Sequence, residues 1–387
     1  MRLFLLLIFL LNFPGAIAQP LHLSQQARVS LITCGPWQGE LYSAFGHSAI
    51  RVYDPQLQID VAFNYGTFDF NQPNFYLNFA RGRNLYMLSV QDYQLFRNYY
   101  VSYNRYIHEQ VLNLDAARKD RLFDFLRNNA LPENKGYYYD YFYDNCSTRP
   151  RDVMKQVFGD SVLFNPDPPY LQGLTIRDLT DLYLNQQPWG DLGIDICLGL
   201  PMDKVATAAD YMFLPDYLET GFDLARIQTA EGLQPLVHEK TVVYEAQPEE
   251  YSFPVTHPWV VFGLLLMVTF WVTLRKIVNA EKWLDRILFN ITGILGLLLV
   301  LLWFVTDHKA AAWNFNLLWA MPLNLAIPLL REEHRRKYFL GMTILSAGQI
   351  VSWAFLPQEL NVYLIPVVLA MLIRYWSGWR GLRGAVN

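Results

Sequence analysis

Five apolar stretches crowd the last third of the chain and set what it can fold into. They lie near Pro258–Leu274, Ile287–Val305, Ala311–Leu330, Phe339–Leu356 and Val362–Ile373. A membrane helix needs about 20 apolar residues, with a range of about 17–25. The first four stretches fit, whereas the fifth is short and carries Pro366. The pattern predicts an all-α transmembrane domain of about five helices over residues 256–387. The loops between the stretches alternate in charge. Arg275, Lys276, Lys282 and Arg286 follow the first, Arg331, Arg335, Arg336 and Lys337 the third, and Arg374, Arg380 and Arg383 the fifth. The opposite loops hold only Lys309. Cytoplasmic loops carry the Lys and Arg, so the C-terminus is expected in the cytoplasm and everything before Thr256 outside it.

The start of the chain agrees. In "MRLFLLLIFLLNFPGAIAQP", Arg2 precedes an apolar run too short to span, and Ala16-Ile17-Ala18 fits a cleavage site. Residues 1–18 read as a signal peptide, and residues 19–255 as an exported domain with short β-rich runs and helical runs. By residue count that domain carries a net charge of about −11, which argues against nucleic acid as a partner. Together these features point to a bacterial envelope protein, expected in the inner membrane with its globular domain in the periplasm.

Three cysteines, Cys34, Cys146 and Cys197, leave at least one thiol unpaired in an oxidising compartment. Cys146 stands out. Upstream, "YYYDYFYDN" is a β-forming run; downstream, "STRPRDVMKQVFGD" reads as a helix with Val153, Val157 and Phe158 on one face. Asn145, Ser147 and Thr148 are plausible caps, and Pro150 fits only a first turn. A thiol near a helix N-terminus has its thiolate stabilised by the macrodipole and the free amides. Its base would be His47, which opens the alternating strand "HSAIRVYD". The next strand candidate, "DVAFNYGTFDF", would bring Asn64 near His47 to hold the imidazole tautomer. Singly, a cysteine at a helix start and a histidine opening a strand are more often scaffold. In a chain with so few of either, the pair is the candidate site.

At these residues the sequence resembles a known family. "GHSAIRVYD", "FNYGTFDF" and "YDYFYDNCSTRPRD" resemble the exported domain of Lnb, the lipoprotein N-acyltransferase family of Bacteroidota, and "TDHKAAAWNFNLLWAMPLNL" resembles its transmembrane domain. A wider resemblance runs to permuted papain-like (NlpC-type) cysteine enzymes, which also place His on a strand before Asn-Cys at a helix start. The resemblance implies an α+β fold of that type with a small antiparallel sheet, Cys146 as nucleophile, His47 as base and Asn64 as third residue. It also implies the reaction: transfer of an acyl chain from a membrane phospholipid to the α-amine of a lipoprotein's diacylglyceryl-cysteine, through a thioester, with no metal or cofactor. Substrate contacts are expected from Tyr143, Asn145, Arg149, Arg81, Asp307 and His308. The run Tyr137–Tyr143 is expected either to line an acyl groove or to be core strand, and the run 69–88 to supply a lid or a lipid-facing helix. The loop holding Asp307, His308, Asn314 and Asn316 either docks the exported domain, handles a headgroup or is an ordinary interfacial loop. "PWGDLGIDICLGLPMDK" lacks the spacing of a calcium loop and reads as a turn-rich connector. Helices are expected between Leu77 and Asn129, including one starting after Asp115, and from Ser161 to about Gly232. The rival readings are a membrane-tethered cysteine amidase or peptidase acting on cell wall, and a non-enzymatic scaffold that binds envelope lipoproteins.

Overall fold

The computed structural model describes residues 21–248 and 254–382; the expected signal segment, residues 1–18, lies outside them. The N-terminal domain is built on a seven-stranded antiparallel sheet. Its strands are β1 (Arg28–Cys34), β2 (His47–Asp54), β3 (Ile59–Thr67), β4 (Asn84–Asp92), β5 (Ile107–Leu112), β6 (Gly136–Tyr139) and β10 (Val237–Tyr244), in the order β10-β5-β1-β2-β3-β4-β6. A separate three-stranded sheet holds β7 (Val162–Leu163), β8 (Arg226–Thr229) and β9 (Gly232–Pro235). The main sheet is larger than expected. Strands β4 and β5 fall where helices were anticipated; in β4, Asn84, Tyr86 and Leu88 are buried while Leu85 is exposed and Met87 half-buried, a period of two.

Alternation gives the sheet two apolar faces. Val29, Leu31, Ile50, Val52 and Phe63 pack under α3 (Ala116–Asn129) and α4 (Thr148–Phe158). Ile32, Cys34, Ala49 and Ala62 pack under α2 (Tyr93–Ser102) through Tyr93, Phe96 and Tyr100. Helix α3 begins at its predicted cap, where Asp115 accepts from the Arg118 amide at 2.8 Å. Helix α1 (Phe75–Ala80) stands outside both layers, in the β3–β4 connection. From Ile176 the chain makes short helices: α5 (Ile176–Asp181), α6 (Pro188–Cys197), α7 (Ala208–Tyr211) and α8 (Pro215–Leu224). Helix α6 replaces the expected turn-rich connector; Pro188 occupies its first turn, where the missing amide costs nothing.

Among the described residues four helices are long and apolar enough to cross a membrane: α9 (Pro258–Arg275), α10 (Val278–Phe304), α11 (Glu332–Ser352) and α12 (Ile365–Gly381, continued from a turn at Val362). The fifth stretch, short by sequence, is a full helix. Pro366 sits in its first turn, and Arg374 extends it because Asp285 on α10 accepts its guanidinium at 2.6 Å. The third stretch is instead a run of tight 3-10 turns, Lys309–Ala311, Phe315–Leu318 and Pro322–Leu329. Pro322 and Pro328 remove amide donors that an α-helix there would use. This segment runs antiparallel along α10. A Cβ on Gly296 would meet the Ala320 carbonyl and one on Gly293 would meet Leu325, so the two glycines let the backbones touch. Asn324 donates to Thr292 and accepts from Tyr338 and Tyr375, so irregular backbone at this depth is enclosed by protein.

The two domains are locked together through α6. Leu192 and Ile196 pack against Leu299, Trp319, Ala320 and Leu364 of the bundle. Asn314 and Asn316 donate to the Ile196 carbonyl, and Gln358 donates to that of Leu198 at 3.0 Å. Of the roles weighed for these asparagines, the structure shows docking. Arg177, fully buried, bridges Asp195 and Asp203 and also donates to the Leu198 and Gly199 carbonyls.

Candidate functional site

His47 begins β2 on the α2 face, two residues before Ala49. The β2–β3 register pairs Ile50 with Phe63, and continuing it places Asn64 opposite Ala49, diagonal to His47 on the same face. Accordingly His47 Nε2 donates to Asn64 Oδ1 at 2.5 Å. That bond fixes the tautomer and leaves Nδ1 for other work. The ring is steadied from the side by Tyr100, stacked at 6.0 Å between centroids.

Cys146 approaches from the opposite face. It precedes Ser147, the N-cap residue of α4. The cap hydrogen bonds come from Asn145: its Oδ1 accepts from the Ser147 and Thr148 amides at 2.8 and 2.9 Å. Its Nδ2 donates to the carbonyls of Tyr141 and Phe213. The aromatic run is strand only as far as Tyr139. Asp140 then accepts from the Phe142 and Tyr143 amides and turns the chain toward the helix. Helix α4 is held on the sheet by buried Val153, Met154, Val157 and Phe158, and by Ser48 Oγ against Ser147 Oγ at 3.1 Å.

Gly66 lets the two faces meet. It has φ +86°, and a Cβ there would lie 3.4 Å from Cys146 Cβ and 3.3 Å from the Tyr139 ring. The sequence signal for it was a glycine inside a strand, which marks close approach. Burial pushes the Cys146 thiol up. The charge and hydrogen bond of His47 outweigh this, together with bonds from the Ser48 amide and Ser147, so the thiol titrates below its ordinary value. The Ser48 amide and Tyr100 were not anticipated from sequence; neither has a motif, and only the packed sheet brings them to the site.

The other expected site residues divide into two groups. Arg149 is held by Asp144 and lies over the Tyr137 ring at 3.9 Å, while Tyr143 is exposed. Both border a polar cleft of about 570 Å³ that Asn128, Asn129, Asn134 and Gln156 also line. Arg81, Asp307 and His308 gather elsewhere, where the β3–β4 connection meets the loop after α10. The Asp307 amide donates to the Arg81 carbonyl, and His308 donates to that of Phe79. Cys34 and Cys197 are free thiols, not partners of each other.

A second polar cluster lies at the domain junction. Asp181, Asp191 and Asp195 bring carboxylate oxygens within 4.8 Å of one another, the spacing at which such groups could hold a metal ion. Burial and the neighbouring carboxylates push Asp181 up to about 9 and Asp191 up to about 6. Asn361 donates to Asp191 and Asp195 at 2.8 and 2.9 Å.

An α/β domain that sets a cysteine, a histidine and an asparagine together, docked on a helical membrane domain, defines a membrane-integral protein with a candidate thiol site in its α/β domain. Two family models match the chain: the Lnb N-terminal periplasmic domain over residues 21–181, and the Lnb transmembrane domain over residues 248–381. The chain belongs to the Lnb family, and its α/β domain is the periplasmic one. Comparisons with curated proteins and with solved structures each return no match.

Proposed function

We propose that this protein is a lipoprotein N-acyltransferase with Cys146 as nucleophile and His47 as base. The observation that carries the reading is a thiol lowered by a histidine, in a domain anchored at the membrane surface. Membership of the Lnb family supports a role in lipoprotein maturation. The order of His47 on β2, Asn64 on β3 and Cys146 before a helix packed on the sheet supports a permuted papain-like core.

The chemistry proceeds in two halves. The Cys146 thiolate attacks the ester carbonyl of a phospholipid; the C–S bond forms and the ester C–O bond breaks. His47 gives its proton to the departing lysophospholipid oxygen. The free α-amine of a diacylglyceryl-cysteine then attacks the thioester, His47 takes the amine proton, the C–N bond forms and the C–S bond breaks. The amides of Ser48 and of the α4 N-terminus are placed to hold the developing oxyanion. Asn64 keeps Nδ1 toward the sulfur. The Arg83–Asp307 ion pair holds the β3–β4 connection to the loop after α10. The cytoplasmic placement of the C-terminus follows from the charged loops.

The polar cleft beside Arg149 favours a second reading, hydrolysis of a cell-wall amide, since its amide side chains suit a peptide or glycan. The deciding experiment is mass spectrometry of a diacylated lipopeptide incubated with purified protein and phospholipid. One added amide-linked chain, absent with Cys146→Ala, is expected. No added chain, with release of a cell-wall fragment instead, would move the assignment to the amidase. A Cys146 that fails to label with iodoacetamide near neutral pH would point to the non-enzymatic scaffold.

A further inference from the structure

We propose that the β3–β4 connection, Phe68–Arg83 with α1 at its centre, is seated in the outer-leaflet surface of the bilayer and is the doorway through which an acyl chain passes from a membrane phospholipid to Cys146. The doorway half rests on the acyl-transfer reading; the seat does not.

Helix α1, "FYLNFA", carries no charge and buries none of its residues. Tyr76 is 76% exposed, Leu77 53% and Phe79 44%, with Phe70 at 57% beside them. Such a surface is costly in water and favourable at the headgroup level, where aromatic rings and leucines collect. Its height is fixed by the membrane domain. Arg83 Nε donates to Asp307 at 2.7 Å and the Asp307 amide donates to the Arg81 carbonyl at 2.8 Å. Gly82, at φ +74°, lies so close that a Cβ would meet Asp307 and His308 at 3.0 Å. Asp307 comes three residues after the end of α10, a 27-residue helix about 40 Å long, against a hydrocarbon core of about 30 Å. The hairpin therefore stands at the membrane–water boundary. Phe304, Val305 and Trp313 are exposed in the same band. A groove of about 480 Å³ opens there between α10 and the 3-10 segment, lined by Val300, Trp303, Trp313, Phe315 and Leu318. That continuity with the spanning helices identifies the occupant of the exposed face as lipid.

From this seat an aromatic track runs inward. Phe75 lies 6.2 Å from Phe68 between centroids, Phe68 5.0 Å from Tyr86, and Tyr86 4.4 Å from Tyr139. Tyr139 borders Gly66, which faces Cys146. Across the mouth, Tyr42 meets Phe68 at 5.9 Å and is itself half exposed. A hydrocarbon chain leaving the bilayer beside α1 meets apolar rings all the way to the sulfur.

The seat is tested on the full chain in phosphatidylethanolamine–phosphatidylglycerol vesicles. Tyr76→Cys in a Cys146→Ala background is labelled with an environment-sensitive fluorophore, with the Cys146→Ala protein alone as the blank for Cys197. Quenching by lipids with a nitroxide high on the acyl chain, and protection from aqueous iodide, is expected. Iodide quenching without nitroxide quenching overturns the seat. The doorway is tested with the Tyr76→Ser/Leu77→Ser protein. Transfer from vesicle phospholipid should fall about tenfold or more, while transfer from a short-chain, water-soluble phospholipid and alkylation of Cys146 by iodoacetamide stay at the unsubstituted level. Equal loss with both donors, or no loss with either, overturns the doorway. If the unsubstituted protein transfers from neither donor, the acyl-transfer reading and the doorway fall together, and the seat stands or falls on quenching alone.

Discussion

Two cysteines flank the same histidine and have opposite chemistry. Cys34 is the register partner of His47 across the β1–β2 ladder, in the fully buried layer under α2. Burial pushes its thiol up, and the Arg105 charge offsets only part of this. Cys146 reaches His47 over Gly66, partly open to the surface, and its thiol is lowered. Proximity to histidine is therefore not what activates a thiol. What differs is access to the imidazole's free nitrogen and to amides at the mouth of a helix, set against the cost of desolvation.

The largest expected effects break the Cys146 side. Cys146→Ala should lower acyl transfer by about 10⁴-fold or more, read as loss of the added chain in the lipopeptide assay. His47→Gln should cost about 10²–10⁴-fold and also move the thiol. In the unsubstituted protein, iodoacetamide labelling should persist below the ordinary thiol value of about 8.5 and fall only as pH drops through the lowered value. Without the imidazole the labelling curve should move to higher pH, and the reaction at neutral pH should slow about tenfold for every pH step of one that the curve moves. A curve that stays in place would mean that the α4 amides alone lower the thiol.

Much of this arrangement was legible in the residues, and the failures have physical causes. "HSAIRVYD" alternates cleanly, so His47 at a strand start followed from pattern, and the short "DPQLQ" connection made Asn64 its neighbour. Asp115 announced α3 as its cap. The β-run before Cys146 was read too long because Asp140 ends it through side-chain bonds to its own backbone, which hydropathy does not register. Strand β5 was missed because its partners β1 and β10 are distant in sequence, and β4 because its burial alternates only as far as Leu88. In the membrane domain, apolar content alone could not separate a helix from the 3-10 segment. Pro322 and Pro328 carried that information, while Pro366 misled because a first-turn proline is harmless. The docking of α6 on the bundle depends on buried bonds between residues more than 100 positions apart.

A smaller effect sharpens how His47 is held. Asn64→Ala removes the acceptor on Nε2 but leaves Tyr100 stacked on the ring. The imidazole can then rotate and exchange tautomers, and a misplaced base costs about 10²-fold. Asn64→Asp keeps an acceptor at the same place and should retain more activity than Asn64→Ala. If Asn64→Ala behaves as the unsubstituted protein, Tyr100 and the sheet suffice to hold the ring.

The smallest effect belongs to Cys34. Its side chain touches Ala49, Ile32 and the α2 aromatics within a dry layer, and nothing in the proposed reaction uses it. Cys34→Ala removes one sulfur from that layer, which should cost about 1 kcal/mol and lower the melting temperature by about 2–4 °C for a domain of this size. Transfer activity and Cys146 labelling should hold within the error of the assay. Cys34→Ser should cost more stability, since it buries a hydroxyl on the face where Ser30 already lacks a hydrogen-bond partner. Iodoacetamide should reach Cys34 only in denaturant, giving one labelled thiol of this pair in the folded protein and two after unfolding. If Cys34 labels as fast as Cys146 at neutral pH, burial does not separate the two thiols, and the assignment of the nucleophile must rest on the Cys146→Ala result alone.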